Sequence, residues 1–552
     1  MPGSRRFWPV LAALALGAGL VWRAGAAWTG SGASAPCAKP EEEYFLSSVI
    51  LLADGVYSRD PGGTAQARHG PLYPTFLALT QAGAPRPSPR RAYLAQALLG
   101  LLAGLAAWGL GARLRSPAAG ALAAAAVALT PALARSVVSL NVHGFYGVVI
   151  LLLACAAAHW AQKKGDRSSG TILGLALGVS LLCRTAHLAS IPLLAAAAWA
   201  WWGRAGLRRA AWMLAVAAAV LVPWTARNYV HTKRLVLLDT GIGAYNLLSA
   251  ANGGDDAVTI DQAFAIAERE EPGFTARHLG EPSPQRENAL AAVARRLILR
   301  SPWDFARGCV RRLIRYWRPL ALFLLLAAFA ALAPGAAPGT RAAALIAASF
   351  SLYAVIGLGV DYRLDVEPLL AALAGIGLAS LTGGKSQSTG KNDPLRAALP
   401  AAAAVALAAL ACLILTPFDA WSARRAGAPV CSPPAPILAA FLDDGVRTCG
   451  PDWSHAHWAG TLRARPEVCA GMNAFAAHDP AAAAGHFTAA AAAAPRDPEI
   501  RLSLAVALDA SGDRARARRE CAEAERLAAP GVSAASDELR AAIRATRNGL
   551  AP

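Results

Sequence analysis

Three adjacent carboxylates follow the first apolar segment of the chain. Glu41, Glu42 and Glu43 lie between Pro40 and Tyr44. Like charges placed side by side repel one another, which makes one of these carboxylates a candidate proton acceptor in general base catalysis. Acidic residues are also common in the first turn of a helix, where the helix dipole favours them. A purely structural role therefore stays open.

Four arginines near the ends of apolar segments are candidates for binding phosphate, because guanidinium groups stay charged and bind phosphate oxygens in a bidentate manner. The alternative for each is anchoring of its helix at the lipid interface. A carboxylate on one side and cations on the other suit a reaction in which negative charge develops on a departing phosphate. The arginines are Arg68, Arg184, Arg227 and Arg363.

Short motifs containing these residues occur in a defined order. They are Glu41-Glu42-Glu43-Tyr44, Arg68-His69-Gly70-Pro71-Leu72-Tyr73-Pro74, Leu181-Leu182-Cys183-Arg184-Thr185, Pro223-Trp224-Thr225-Ala226-Arg227-Asn228-Tyr229, Gly243-Ala244-Tyr245-Asn246 and Asp361-Tyr362-Arg363-Leu364-Asp365. In content and order they resemble motifs of the GT-C superfamily of polyprenyl-phosphate-sugar glycosyltransferases, especially bacterial relatives of protein O-mannosyltransferases and aminoarabinose transferases. The resemblance covers roughly residues 8–382.

The resemblance implies a reaction and a set of site residues. Such enzymes transfer a sugar from a polyprenyl phosphate to an acceptor outside the cytoplasm, and a single displacement would invert the anomeric carbon. The base that activates the acceptor hydroxyl falls on Glu41 and Glu42. No cofactor is implied, and the sequence has no Cys/His cluster at zinc spacing. The residues implied in binding donor phosphate and substrate are Arg68, His69, Tyr73, Arg184, Arg227, Asn246, Tyr362 and Arg363.

Two departures from the superfamily pattern keep a second interpretation open. Glutamate replaces aspartate at position 41, and this added methylene moves the carboxylate by about 1 Å. Asn141-Val142-His143 stands where relatives usually have Thr-Glu. We interpret His69 and His143 as loop residues, and a role as orienting groups is the alternative for both. The alternative function is a catalytically inactive membrane scaffold whose C-terminal region binds a periplasmic protein.

The elements that would position these residues are apolar helices. Of the 552 residues, 55% are hydrophobic and only 16% are charged, which is too apolar for a soluble protein of this size. The apolar segments predict an all-α, polytopic membrane bundle of about eleven spans. The predicted spans are residues 8–27, 92–112, 118–138, 143–161, 170–183, 187–202, 210–226, 319–334, 342–359, 365–382 and 397–417.

The distribution of basic residues predicts the orientation of this bundle. With the N-terminus in the cytoplasm, the short cytoplasmic loops are basic, as expected for a bacterial inner-membrane protein. Residues 29–91, 227–317 and those after about 418 are then extracytoplasmic. The first segment could instead be a cleaved signal peptide, although an uncleaved helix fits better with the many later spans. The net charge of +18 comes mainly from arginines at helix ends and in loops, so no nucleic-acid partner is expected.

One group of arginines does not fit the predicted orientation. Arg311, Arg312, Arg315 and Arg318 precede a span on its outer side. We expect an amphipathic helix there whose arginines bind lipid phosphates, and an error of one span is the alternative.

The C-terminal region predicts a separate helical domain. Gly471, Ala483, Phe487 and Ala490 have the spacing of a tetratricopeptide repeat, and the pattern returns 34 residues later at Ala505. A simple alanine-rich helical hairpin is the alternative. The predicted domains are a transferase domain at 1–425, a linker or cap at 426–465, repeats at 466–530 and a tail at 531–552. A Cys431–Cys449 disulfide is plausible in the cap, and Cys469 and Cys521 are competing partners.

Overall fold

In the computed structural model, every regular element of the described residues is a helix, which confirms the predicted all-α class for them. Contacts divide the chain into two compact units. The first comprises 1–27, 67–73 and 93–413, and the second comprises 28–66, 74–92 and 414–552. The structure describes residues 4–30, 43–54, 57, 70–82, 89–232, 235–238, 243–256, 258, 260–278, 283–333, 336–356, 360–381, 464, 467–468, 470–472, 474–475, 477–529 and 537–550.

Four 3-10 turns lie among the described helices up to residue 381. The turns lie at Ser136–Val138, Arg318–Leu320, Phe350–Leu352 and Val360–Asp365. The helices are α1 Ser4–Gly30, α2 Glu43–Asp54, α3 Leu72–Gln81, α4 Pro89–Leu114, α5 Pro117–Leu129, α6 Pro131–Arg135, α7 Val142–Gln162, α8 Arg167–Cys183, α9 Ser190–Thr232, α10 Gly243–Ala251, α11 Ile260–Glu270, α12 Phe274–His278, α13 Ser283–Arg300, α14 Pro302–Trp317, α15 Ala321–Leu332, α16 Pro338–Ser349, α17 Tyr353–Ile356 and α18 Glu367–Leu381.

The predicted count of eleven spans is not confirmed. Among the described residues, five helices are long and apolar enough to cross a membrane, or six if the bent pair Pro117–Leu129 and Pro131–Val138 is one span. Two shorter apolar helices, α8 and α18, also coincide with predicted spans. The predicted span at 397–417 lies outside the described residues.

Helix α9 reverses direction at Gly203. This glycine has φ 56° and ψ −140°, a left-handed conformation that a residue with a Cβ rarely adopts. Three residues later, a Cβ on Gly206 would lie 1.9 Å from the carbonyl oxygen of Ala198. Such proximity of residues 198 and 206 requires that the chain turn back, since they would lie about 12 Å apart along a continuous helix. The two halves of α9 correspond to two predicted spans.

Glycines allow close packing around the last described membrane helix, α18. A Cβ on Gly375 would approach the backbone of Ala123 in α5 to 2.4 Å, and one on Gly377 would approach the carbonyl oxygen of Leu326 in α15 to 2.1 Å. Helix α1 also belongs to the bundle, because its Ala12 and Leu16 form one apolar cluster with residues of α5.

The second predicted outer loop folds as a small helical layer with its own core. Helices α10, α11, α12 and α13 enclose apolar side chains that include Tyr245, Leu248, Phe264, Phe274 and Leu290. Burial of such side chains is the main stabilising contribution for a layer of this size.

The arginines of α14 differ from their expected role. Arg311 binds Asp255 through its Nη2 atom at 2.7 Å, and Arg315 binds Asp256 at 3.2 Å. Arg312 is buried and donates to the carbonyl oxygen of Gly254 at 3.0 Å. These three arginines therefore connect α14 to the loop after α10, and lipid phosphates are not needed to pair them.

The described C-terminal helices are α19 Pro480–Ala493, α20 Pro498–Ala510, α21 Arg514–Leu527 and α22 Asp537–Gly549. An aspartate caps the amino end of each of the first three, because its side chain accepts hydrogen bonds from the first free amides. The small residues of the predicted repeats, including Ala483, Ala490 and Ala505, are buried beside Phe487. Assignment to the tetratricopeptide family stays a prediction, as do the domain boundaries.

Three of the four candidate disulfide cysteines lie outside the described residues, namely Cys431, Cys449 and Cys469. Cys521 is a buried free thiol in α21. It therefore does not compete for a disulfide in this structure.

Candidate functional site

A buried carboxylate, Asp365, joins three polar side chains from different parts of the first unit. Its Oδ1 atom lies 2.6 Å from Nδ1 of His143, and its Oδ2 atom lies 3.2 Å from Nη1 of Arg184. The hydroxyl of Tyr353 donates to the same Oδ2 at 3.1 Å. Asp365 is completely buried, and a buried carboxylate is tolerated only when it is paired and hydrogen-bonded in this way.

Aromatic rings surround the guanidinium of Arg184. Its Cζ atom lies 4.7 Å from the ring centroid of Tyr362, a cation–π distance. The ring of Tyr362 also meets the ring of His143 edge to face, with centroids 5.0 Å apart. The side chain of Arg184 remains 17% exposed, whereas that of Asp365 is not exposed at all. The cation is therefore the accessible member of the ion pair.

The three parts of this site meet at one end of the bundle. His143 lies in the first turn of α7, Arg184 follows the last residue of α8, and Asp365 precedes α18. Gly147 makes this possible, because a Cβ there would lie 2.6 Å from the carbonyl oxygen of Leu364. Gly70 is equally close to α8, since a Cβ on it would lie 2.2 Å from the carbonyl oxygen of Leu182.

A second buried histidine holds the turn that carries Arg184. The hydroxyl of Ser180 donates to the carbonyl oxygen of Leu177 at 2.8 Å, so it accepts from Nε2 of His187, which is 2.7 Å away. Nδ1 of His187 is then the acceptor for the hydroxyl of Tyr146. This chain of hydrogen bonds ties the link between α8 and α9 to α7.

Tyr73, one of the predicted binding residues, makes a hydrogen bond that has a structural role. It is fully buried, and its hydroxyl donates to Oε1 of Gln96 at 2.9 Å. The amide of Gln96 donates in turn to the carbonyl oxygens of Val137 and Ser139. The tyrosine thereby connects α3 to α4 and, through Gln96, to the turn that precedes α7.

The Pro-Trp-x-x-Arg-Asn segment of α9 binds the non-helical residues 235–238 that follow it. Trp224 and Asn228 both donate to the carbonyl oxygen of Leu238, at 2.5 Å and 3.2 Å. Arg227 is buried, lies 4.6 Å from the ring centroid of Trp224 and donates to Oδ1 of Asn228. These contacts give the residues of the motif a local structural role.

The remaining predicted residues are placed as follows. Asn246 in α10 is buried, and its Oδ1 atom has no hydrogen-bond partner among the described residues. Arg363 is half-buried in the turn before α18, where it acts electrostatically on Glu367, the buried first residue of that helix. The candidate base residues and two binding residues lie outside the described residues, namely Glu41, Glu42, Arg68 and His69.

The structure brings together two predicted residues, Arg184 and Tyr362, and adds two that the sequence did not indicate. The interpretation of His143 as a loop residue was wrong, because it lies in α7 and binds Asp365. Asp365 stands in a motif that was recognised, yet its role was not apparent. Among the described residues, no group of three or more His, Cys, Asp or Glu residues could hold a metal ion.

Comparison with known proteins gives a fold likeness only. No family model and no curated protein matches the sequence. The chain is similar to the apo oligosaccharyltransferase of Archaeoglobus fulgidus, with a TM-score of 0.43, 16% identity, and coverage of 81% of this chain and 58% of that one. It is also similar to the archaeal oligosaccharyltransferase AglB from the same organism, in complex with an inhibitory peptide and a dolichol-phosphate, with a TM-score of 0.45, 16% identity, and coverage of 81% and 59%. The chain thus spans less than two thirds of either structure, and the likeness is too weak to assign an activity.

Proposed function

We propose that the chain is an integral membrane glycosyltransferase, which moves a sugar from a polyprenyl-phosphate donor to an acceptor on the extracytoplasmic face. The observation that carries this proposal is the guanidinium of Arg184. It is held by the buried Asp365, stacked on Tyr362 and partly exposed at the end of the bundle. A fixed arginine at this position suits the phosphate of a lipid whose tail lies in the bilayer.

The location of the site agrees with an extracytoplasmic reaction. The opposite ends of α7 and α8 are joined by a link that contains Lys163 and Lys164, with Arg167 beginning α8. Basic links of this kind favour the cytoplasmic side. Arg184 and Asp365 would then face the outer boundary of the bacterial inner membrane, where a flipped lipid donor presents its sugar.

The proposed reaction divides the work between two kinds of residue. The acceptor hydroxyl oxygen attacks the anomeric carbon and passes its proton to the carboxylate of Glu41 or Glu42. The bond between the anomeric carbon and the phosphate oxygen breaks, and its electron pair stays on the phosphate. Arg184 stabilises that growing charge. Stabilisation by a preorganised cation is commonly the largest single contribution to the rate enhancement of an enzyme. No cofactor takes part in these steps.

Sugar transfer by the purified protein in nanodiscs tests the proposal. The donors are a panel of undecaprenyl-phosphate sugars, with release of the lipid phosphate as the readout. Changing Arg184→Ala should reduce the rate by about a hundredfold or more, as expected for loss of a charge-stabilising group. The control is Arg208→Ala, because Arg208 is exposed on α9.

The candidate base has its own test in the same assay. The double change Glu41→Gln and Glu42→Gln should abolish transfer, and an unchanged rate would exclude these residues as the base. If the intact protein transfers no sugar from any donor while residues 430–552 bind a periplasmic protein, the inactive scaffold is the correct alternative.

A further inference from the structure

We propose that His143 is a second phosphate-binding residue and that Asp365 is the positioning residue for both His143 and Arg184. This inference rests on the proposed function, which supplies the lipid phosphate as ligand. It adds a specific, protonatable donor that the superfamily motifs did not indicate.

The first step of the argument is the proton on His143. An ionised carboxylate can only accept hydrogen bonds, so Nδ1 of His143 must donate across the 2.6 Å contact with Oδ1 of Asp365. That assignment fixes the ring orientation and leaves Nε2 as the nitrogen that can bind a ligand. Among the described residues, none is hydrogen-bonded to Nε2.

The second step is the proximity of the two cationic groups. Nη1 of Arg184 lies 2.8 Å from Nδ1 of His143, because both groups bind the same carboxylate. A phosphate that binds Arg184 therefore comes within reach of the imidazole. Without a bound anion, the two adjacent cations repel each other, because Asp365 neutralises the charge of only one of them.

The third step is the charge of the assembled site. Arg184 and protonated His143 together with Asp365 leave one net positive charge, which matches the single negative charge of a sugar–phosphate–lipid diester. Cleavage of the donor adds a second negative charge to the phosphate. The hydrogen bond from Nε2 then becomes stronger, as required of an interaction that favours the transition state.

Several other ionisable groups lie near His143 or on elements packed against α7. Asp365 and Arg184 contact its ring nitrogen directly, and Tyr362 contacts the ring. The other groups are Tyr146 in α7, Arg363 in the turn, Glu367 in α18 and Tyr353, which binds Asp365.

Binding of farnesyl methyl phosphate to the full chain in nanodiscs tests the inference. This phosphodiester keeps one negative charge between pH 5.5 and 8.5, so any change of affinity with pH reports on the protein. Wild-type affinity should be higher at pH 5.5 than at pH 8.5, because a cationic imidazole binds an anion more strongly than a neutral one. In His143→Gln, affinity at pH 5.5 should be about tenfold weaker and nearly independent of pH.

Two further variants separate binding from folding. In His143→Lys, which stays charged, affinity should persist at pH 8.5. Asp365→Asn should lose the pH dependence even where its melting temperature equals that of the wild type. The control is His278→Gln in the outer helical layer, which should keep the wild-type profile.

The outcomes distinguish this inference from the proposed function. The same affinity and pH profile in His143→Gln as in the wild type would overturn the inference, even if sugar transfer is intact. A His143-dependent profile without sugar transfer from any donor would overturn the proposed function and leave the phosphate site standing. If the wild type does not bind the probe at all, both are wrong.

Discussion

The guanidinium of Arg23 in α1 donates a hydrogen bond to the carbonyl oxygen of Val127 in α5, with an Nη2–O distance of 2.9 Å. In a continuous helix this carbonyl would accept from the amide of residue 131, but residue 131 is proline and has no amide hydrogen. Arg23 also donates to Ala128 at 2.6 Å. A buried arginine thus compensates the helix break at Pro131, where the helix axis bends by 50°.

We therefore predict that Arg23→Met destabilises the bundle by about 2–4 kcal/mol, because two buried carbonyl groups lose their donor. The measurement is the thermal unfolding midpoint in detergent, followed by tryptophan fluorescence. The control is Arg208→Met, which removes an exposed arginine and should leave the midpoint unchanged. Equal midpoints for the two variants would show that Arg23 is not needed at the break.

Position 147 should not tolerate even the methyl side chain of alanine. A Cβ there would lie 2.6 Å from the carbonyl oxygen of Leu364 and 2.9 Å from Cγ of Pro368, so Gly147→Ala must displace the turn that carries Asp365. We expect a loss of about 1–3 kcal/mol in stability together with weaker binding of the prenyl phosphate probe. Gly17→Ala is the matched control, because no atom lies within 4 Å of its added Cβ. Equal stability and equal probe binding in both variants would contradict the close approach of α7 and this turn.

The sequence predicted the helices well because their signal is local. Long apolar segments predict helices wherever the backbone must bond internally, and α1, α4 and α7 follow directly from this rule. The reversal at Gly203 was also visible, because the sequence predicted separate spans at 187–202 and 210–226. The break at Pro131 was not predicted, because the sequence analysis gave one continuous span at 118–138. The pairing of Arg311 with Asp255 was not visible, since it depends on how the loop after α10 folds back on α14.

The site was predictable only in part, because some of its residues come together only through long-range packing. Arg184 and Tyr362 lie in motifs that can be recognised from neighbouring residues. His143 and Asp365 are 222 positions apart, and each alone is an ordinary residue near the end of an apolar segment. Only the packing of α7 against the turn before α18 shows that they form a pair.

The hydrogen bonds around His187 should be non-additive. His187→Leu leaves the buried hydroxyl of Tyr146 with only the carbonyl oxygen of Arg184, 3.5 Å away, as acceptor, and should cost about 1–3 kcal/mol. Tyr146→Phe removes the hydroxyl itself and should cost about 1 kcal/mol. The double variant should lose less stability than the sum of the two, which thermal unfolding of all four proteins would measure. Strict additivity would mean that the two side chains do not interact.

Glu268 should make the helical layer formed by α10 to α13 sensitive to acid. Its carboxylate accepts hydrogen bonds from the backbone amides of Thr275 at 2.7 Å and Gly273 at 2.6 Å, and these bonds lower the pKa of Glu268 below the ordinary value of 4.5. Since the folded layer binds the proton less tightly than the unfolded chain, this contribution is fully present above pH 4.5 and disappears as pH falls through the lowered pKa.

The prediction concerns the link between α11 and α12, so the measurement must be local. Hydrogen exchange of peptides covering 266–278, corrected for the intrinsic rate, should show protection above pH 4.5 that is lost in stronger acid. Glu268→Gln should reduce protection at neutral pH and flatten its dependence on acid, because an amide accepts these hydrogen bonds more weakly than a carboxylate. Glu270→Gln, which removes only the contact with the exposed Arg300, should keep the wild-type profile. An unchanged acid response in Glu268→Gln would assign the effect to another carboxylate, and Glu271, which binds Arg277 and Arg296, would be the next to test.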